Sequence, residues 1–307
     1  MRHRRGPIAL FLTLLAALAL PVPATEDAAA AETATSAMFV PTLDGAVFRD
    51  DRRRPPRPSA LVVTELQALE SLFQATPASS SDRPQLLRRL AEDYVELENA
   101  ASTVAAAPSG VGGRTPQSAR ASTVDRARQA AIRHYTRLFA EYSGRPSLTF
   151  PSAAPAEYPK LDEVAYHLAY EHERAGDPAN ARRIYLDLIQ RWPASPFIPR
   201  AYLAFGELFF AEAMRDTSKW DLAGAAYAKV LAAPPPVNAA YGYAWYRLAY
   251  VVANRGDRGR ALEDLQRAAD WATSFPEQPG AALLGAEAEA QKKAFAGLTA
   301  GNPAPPP

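Results

Sequence analysis

The run His167-Leu168-Ala169-Tyr170-Glu171-His172 comes nearest to a metal site in residue type. Two imidazoles and a carboxylate would hold zinc and activate a bound water. The spacing argues against it. An inverted zinc-protease pattern has two residues between its first histidine and Glu-His, and here three intervene. Side chains five positions apart on a helix point about 140° from one another, so one ion is out of reach of both rings. No His-Glu-x-x-His occurs, and Gly110-Val111-Gly112-Gly113 lies in a Ser/Pro-rich stretch rather than between a strand and a helix. The chain has no cysteine. That excludes disulfides, thiol catalysis, Cys-ligated zinc and a lipid-modified cysteine anchor. Carboxylates such as Glu163 and Glu173 have ordinary helix-surface spacing, and no serine has a recognisable base beside it. The expectation is a protein that is not an enzyme and uses no metal or cofactor.

Composition narrows the class. Of 307 residues, 48% are hydrophobic and 22% charged, enough to bury a core by packing alone. Residues 1–24 read as a secretory signal, with basic Met1–Arg5, apolar Ile8–Leu20 and small residues before a cut after Ala24. Ala31 is a second candidate for the cut. Thirteen apolar residues are short for a span, which takes about 20. Without Arg2, Arg4 and Arg5 the net charge falls from +1 to −2, no footprint for nucleic acid. The location expected is the periplasm, with no integral membrane span after cleavage.

Residues 25–58 combine an alanine tract with Arg52-Arg53-Arg54-Pro55-Pro56-Arg57-Pro58. Prolines and thin apolar content predict a disordered tether. Within it, Met38-Phe39-Val40 reads as a chance apolar triplet rather than a docking motif. Residues 59–143 are expected to hold N-terminal helices. One starts near Ser59, with Leu61, Val62, Leu66, Leu69, Leu72 and Phe73 as its apolar stripe. The next is capped by Asp82 and carries Leu87, Leu90-Ala91 and Tyr94. Its partner carries Ala131, Tyr135 and Leu138, and a loop over 103–122 separates the two. Residues 144–160 read as a Pro-rich connector, 276–300 as a capping helix with a polar flank, and 301–307 as a disordered tail.

Between 161 and 275 one spacing recurs. It runs Leu168-Ala169, Gly176-Asp177, Ala181, Tyr185, Pro193, and again Leu248-Ala249, Gly256-Asp257, Ala261, Leu265. A third copy has Tyr202, Phe205-Gly206, Ala223, Tyr227 and Pro235, with five extra residues in its turn. Thr273 stands where the last copy would have proline. Small residues at Ala169, Gly206 and Ala249 suit close helix approach, and Tyr185, Tyr227 and Leu265 fill the facing gap. Glycine reaches positive φ cheaply at the turns. This pattern resembles the tetratricopeptide repeat (TPR) family, whose unit is about 34 residues of helix–turn–helix. The likeness covers 161–273 well and 84–143 poorly.

The resemblance implies an all-α, right-handed solenoid and a role as a scaffold for other proteins. Whole-chain organisation is loosely similar to TPR proteins of outer-membrane assembly, cell-wall coordination or gliding motility. Carried over slot by slot, the groove-facing positions are Glu163, Tyr166, Tyr170, Glu173 and Arg174, then Arg200, Leu203, Glu207 and Phe210, then Tyr243, Tyr246, Tyr250 and Asn254. The expected occupant is an envelope protein of unknown identity, with no nucleic acid. The alternative is a glycan-binding module in which tyrosines and Trp220 stack on cell-wall sugars.

Overall fold

The computed structural model describes residues 38–43, 45–49, 57–106, 117–145 and 155–300. The signal segment, the tail and most of the connector lie outside them. All regular structure among the described residues is helical. The helices are α1 (Ala46–Arg49), α2 (Ser59–Ala75), α3 (Arg83–Ala106), α4 (Gln117–Glu141), α5 (Leu161–Arg174) and α6 (Pro178–Arg191). After them come α7 (Ile198–Ala213), α8 (Trp220–Leu231), α9 (Tyr241–Asn254), α10 (Arg258–Ser274) and α11 (Ala281–Ala300). From α2 onward, each helix packs chiefly on those before and after it in the chain. The pairs α3–α4, α9–α10, α7–α8, α10–α11 and α5–α6 have the most extensive contacts.

The Gly-Asp turns do two jobs. Gly176 and Gly256 sit at φ 74° and 93°, the left-handed region in which a helix can end without a Cβ clash. The N–H of the following aspartate then reaches back to the carbonyl of His172 (2.9 Å) or Val252 (3.0 Å), the six-to-one bond of a Schellman ending. The same aspartate caps the next helix. Asp177 accepts from the Asn180 N–H at 3.2 Å, and Asp257 from the Arg260 N–H at 2.9 Å. Turning the chain in three residues sets α5 beside α6 and α9 beside α10.

Leu168, Ala169, Ala181, Tyr185, Phe205, Gly206, Ala223, Tyr227, Leu248, Ala249, Ala261 and Leu265 are all buried. Gly206 has a steric reason to lack a side chain. A Cβ there would stand 2.4 Å from the Tyr227 ring, so α7 and α8 meet at a distance only glycine permits.

The N-terminal helices depart from the sequence reading in two places. Helices α3 and α4 extend into the expected loop, to Ala106 and from Gln117. On α2, Val62, Leu66 and Phe73 are buried while Leu61 and Leu72 of the expected stripe are exposed. Only α3 packs extensively against α2, so α2 has a single covered face.

Asp93, on α3, is buried between two arginines, Arg89 Nε at 3.2 Å and Arg57 Nη2 at 3.7 Å. Burial raises its pKa to about 6; Arg89 and Arg57 oppose the rise, while Glu65 and Glu96 add to it. In the unfolded chain this carboxyl ionises near 3.9. Between those values the folded chain binds the proton more tightly, so stability falls as pH rises through the window, and the cost is complete above it. Asp93→Asn removes that cost and leaves Arg57 and Arg89 paired with Glu65. Its melting temperature relative to wild type is expected to climb from pH 4 to 6 and then level. A difference independent of pH would refute this.

Candidate functional site

The tyrosines expected to line the groove are covered. Tyr166, Tyr170, Tyr243, Tyr246 and Tyr250 are each at most 6% exposed. The cover is the chain's own segment 38–49, which the sequence reading placed in a disordered tether. Held by main-chain bonds and the ring contacts of two phenylalanines, it lies along the repeat helices.

At its start, Asn254 on α9 clasps the main chain of Phe39. Its Oδ1 accepts from the Phe39 N–H at 2.8 Å, and its Nδ2 donates to the Phe39 carbonyl at 2.9 Å. The Phe39 ring rests on Phe295 of α11, centroids 4.7 Å apart. Phe39 is thus an anchor, not part of a chance triplet. Next, Thr42 donates to Glu287. The Leu43 carbonyl accepts from the Tyr243 hydroxyl at 3.3 Å, and the Leu43 N–H donates to the Tyr246 hydroxyl at 3.4 Å. Gly45 passes beneath Tyr243, where an added Cβ would lie 2.6 Å from the phenol oxygen. The Phe48 ring then stacks on Tyr243, centroids 4.7 Å apart and planes 11° apart. Gly280, at φ 79° in the turn before α11, leaves room for Phe48 and Val47 that a Cβ would fill.

The segment ends in a buried charge. One Arg49 nitrogen donates to Glu173 Oε1 at 2.7 Å and the other pairs with Oε2, a two-pronged bond of the kind planar guanidinium makes best. The guanidinium also lies 5.2 Å from the Tyr170 ring centre, and the Tyr166 hydroxyl donates to the Arg49 carbonyl. Burial alone would lower the Arg49 pKa, but Glu173 and the nearby phenol oxygens carry it above its ordinary value. Arg49 therefore stays a cation inside the fold.

The other expected groove residues have different work. Glu163 binds Arg88 of α3 at 2.6 Å. Arg174 pairs with buried Glu98 at 2.5 Å. Arg200 lies half-buried over Phe197, and Leu203 is fully buried. Phe210 meets Trp220 edge-on at 4.9 Å, and Trp220 is 4% exposed, so it offers no open face for a sugar. Glu207 holds Arg247 at 2.8 Å. The Tyr250 hydroxyl is 3.2 Å from that of Tyr246.

The two histidines of the metal-like run are also apart in role. His167 is buried, its Nε2 3.9 Å from Glu163. His172 Nδ1 lies 3.1 Å from the capping carboxylate of Asp177. Among the described residues no three His, Cys, Asp or Glu side chains are grouped to hold a metal ion, and no helix is long and apolar enough to cross a membrane.

Sequence reasoning missed Phe39, Phe48, Arg49 and Glu287. The signal available was slight: two phenylalanines and an arginine in a proline-flanked stretch.

No family model matches this chain, and neither a curated protein nor a solved structure matches it.

Proposed function

We propose that this chain is an exported TPR-like scaffold of the bacterial envelope, a right-handed stack of helix pairs that binds other proteins and performs no chemistry of its own. The observation that carries the reading is that α5, α9 and α11 together hold a segment of polypeptide, through its backbone as well as its side chains. A surface that clasps main chain in this way is suited to peptide segments. The recurring Gly-Asp turns and small-to-large contacts support the TPR reading. Outer-membrane assembly, cell-wall coordination and gliding motility are the processes this class of scaffold serves.

The test is a photoreactive residue in place of Arg200, used in living cells. It is expected to yield an adduct with a second envelope protein, and the exported chain is expected to begin at Thr25. Recovery of the chain alone, uncrosslinked, would refute the scaffold. A chain that retains Met1 inside the cell would refute export.

A further inference from the structure

The groove residues are already engaged, and their contacts describe what the groove recognises. Asn254, Tyr243, Tyr246 and Tyr166 all bond to main-chain atoms of 38–49. Main-chain contacts fix the path of the backbone and are indifferent to side-chain identity. Selectivity then falls on the side chains: Phe39 against Phe295, Phe48 against Tyr243, and Arg49 against Glu173 and Tyr170, with an exposed bond from Thr42 to Glu287 beside them. Met38 and Val40 on either side of Phe39 are 40% and 59% exposed.

Two observations argue that this occupant can be exchanged. The first is its lack of independent structure. Helix α1 has four residues, far below the length at which a helix persists alone in water, so the groove imposes its conformation. The second is an imperfect fit. A cavity of about 230 Å³ lies beside the segment, lined by Gly45, Ala46, Arg49, Tyr170, Glu173 and Glu207. Most of the lining is charged, Arg174 included, so alanine at position 46 leaves space that a longer polar side chain would fill, and a bond to a lining carboxylate would favour the better-fitting segment.

Resting on the scaffold reading, and adding to it the chemistry of the partner, we propose that segment 38–49 is a built-in competitor that closes the groove until a partner displaces it. The partner supplies a segment with the same anchors, ending in a single helical turn as α1 does: an aromatic residue followed directly by arginine, a second aromatic upstream, and a residue larger than alanine two positions before the aromatic–arginine pair. Because the competitor is covalently attached, it acts at a high effective concentration, and only a segment that fits better displaces it.

The probe is a fluorescent synthetic peptide of residues 38–49, titrated by anisotropy against the full chain. Wild type is expected to bind it weakly. The full-chain double variant Phe48→Ala/Arg49→Ala, with its own segment loosened, is expected to bind it about tenfold more tightly. The peptide carrying Ala46→Gln is expected to bind more tightly still, and one lacking both Phe48 and Arg49 not at all. Helical circular dichroism and the melting curve are followed for each protein. Equal peptide binding by wild type and variant would overturn the proposal. So would a variant that stays helical but binds no peptide, or one that loses its helices, since the segment would then be part of the core. Wild-type dimers linked by exchanged segments would assign the groove to a second copy and overturn it too. Because the peptide titration needs no cellular partner, its outcome is separate from that of the cross-linking test.

Discussion

Replacing Glu207 with alanine is expected to lower the melting temperature by about 10 °C, the equivalent of roughly 3–5 kcal/mol in a domain of this size. The reason is the arginine left behind. Arg247 is only 5% exposed. Its Nη2 meets Glu207 at 2.8 Å, its Nε donates to the Tyr227 hydroxyl at 3.2 Å, and its guanidinium lies 4.0 Å from the Phe210 ring centre. Burial pulls the Arg247 pKa down, but Glu207 and the phenol oxygens of Tyr227 and Tyr243 outweigh it, and the pKa stands above its ordinary value. Without Glu207 the group cannot escape by losing its proton, because arginine remains charged inside proteins. It stays desolvated with one phenol oxygen and an aromatic wall. Glu207→Gln keeps an acceptor and is expected to cost less. The double change Glu207→Leu/Arg247→Met removes both charges and is expected to recover much of the loss, because well-packed apolar residues often replace a buried pair without penalty. Thermal denaturation at neutral pH decides it. A Glu207→Ala protein that melts within about 2 °C of wild type, under the same conversion, would show that the arginine finds water or another partner.

The second large effect falls on Tyr246. Tyr246→Ala is expected to cost about 3–5 kcal/mol, the usual range for removing a buried aromatic ring. The ring is fully buried. It lies 5.8 Å from Tyr243 and 5.1 Å from Tyr250, centroid to centroid, and its hydroxyl receives the Leu43 N–H. Tyr246→Phe keeps the ring, so it is expected to lose only the hydroxyl's share, about 1 kcal/mol. Hydrogen exchange reads a further consequence: in Tyr246→Ala, the amide of Leu43 is expected to exchange faster. Denaturant unfolding of the alanine and phenylalanine variants is the check, and equal midpoints for both would refute the packing role. A Tyr170→Ala/Tyr246→Ala pair therefore does not probe partner binding alone, because both side chains are structural.

The fold was largely legible because its signals are local. The recurring motif spacing, read through its resemblance to helix–turn–helix repeats, placed α5 through α10 near their observed positions. Glycine followed by aspartate marked the two tight turns, since positive φ and an N-cap are demands on single residues. The small residue at 206 opposite the large one at 227 was readable as a pair because the repeat supplied their register. The stripe on α2 was harder. Period alone gives a face, but not how much of it a neighbour covers, and Leu61 and Leu72 remain exposed because α3 reaches only part of it.

The groove was half legible. Helical periodicity puts Tyr166 with Tyr170, and Tyr243 with Tyr246 and Tyr250, each set on one face of its helix, and the resemblance assigned both faces to one groove. What occupies that surface was not readable. Asn254 meets Phe39 across 215 positions, and Arg49 meets Glu173 across 124. No composition or period in residues 38–49 announces such partners. Looked at alone, the stretch is short, flanked by proline and arginine, and too poor in apolar residues to order itself.

The sequence by itself determined the helices, their turns, the small-to-large contacts between paired helices and the absence of cysteine chemistry, since each depends on residues close together in the chain or on composition. Only the tertiary structure decided that the tyrosine face is covered and that Arg49 is a buried cation. It also made Phe39 and Phe48 anchors. Those outcomes depend on surfaces assembled from distant helices, and a segment with no structure of its own takes its conformation from the surface it meets.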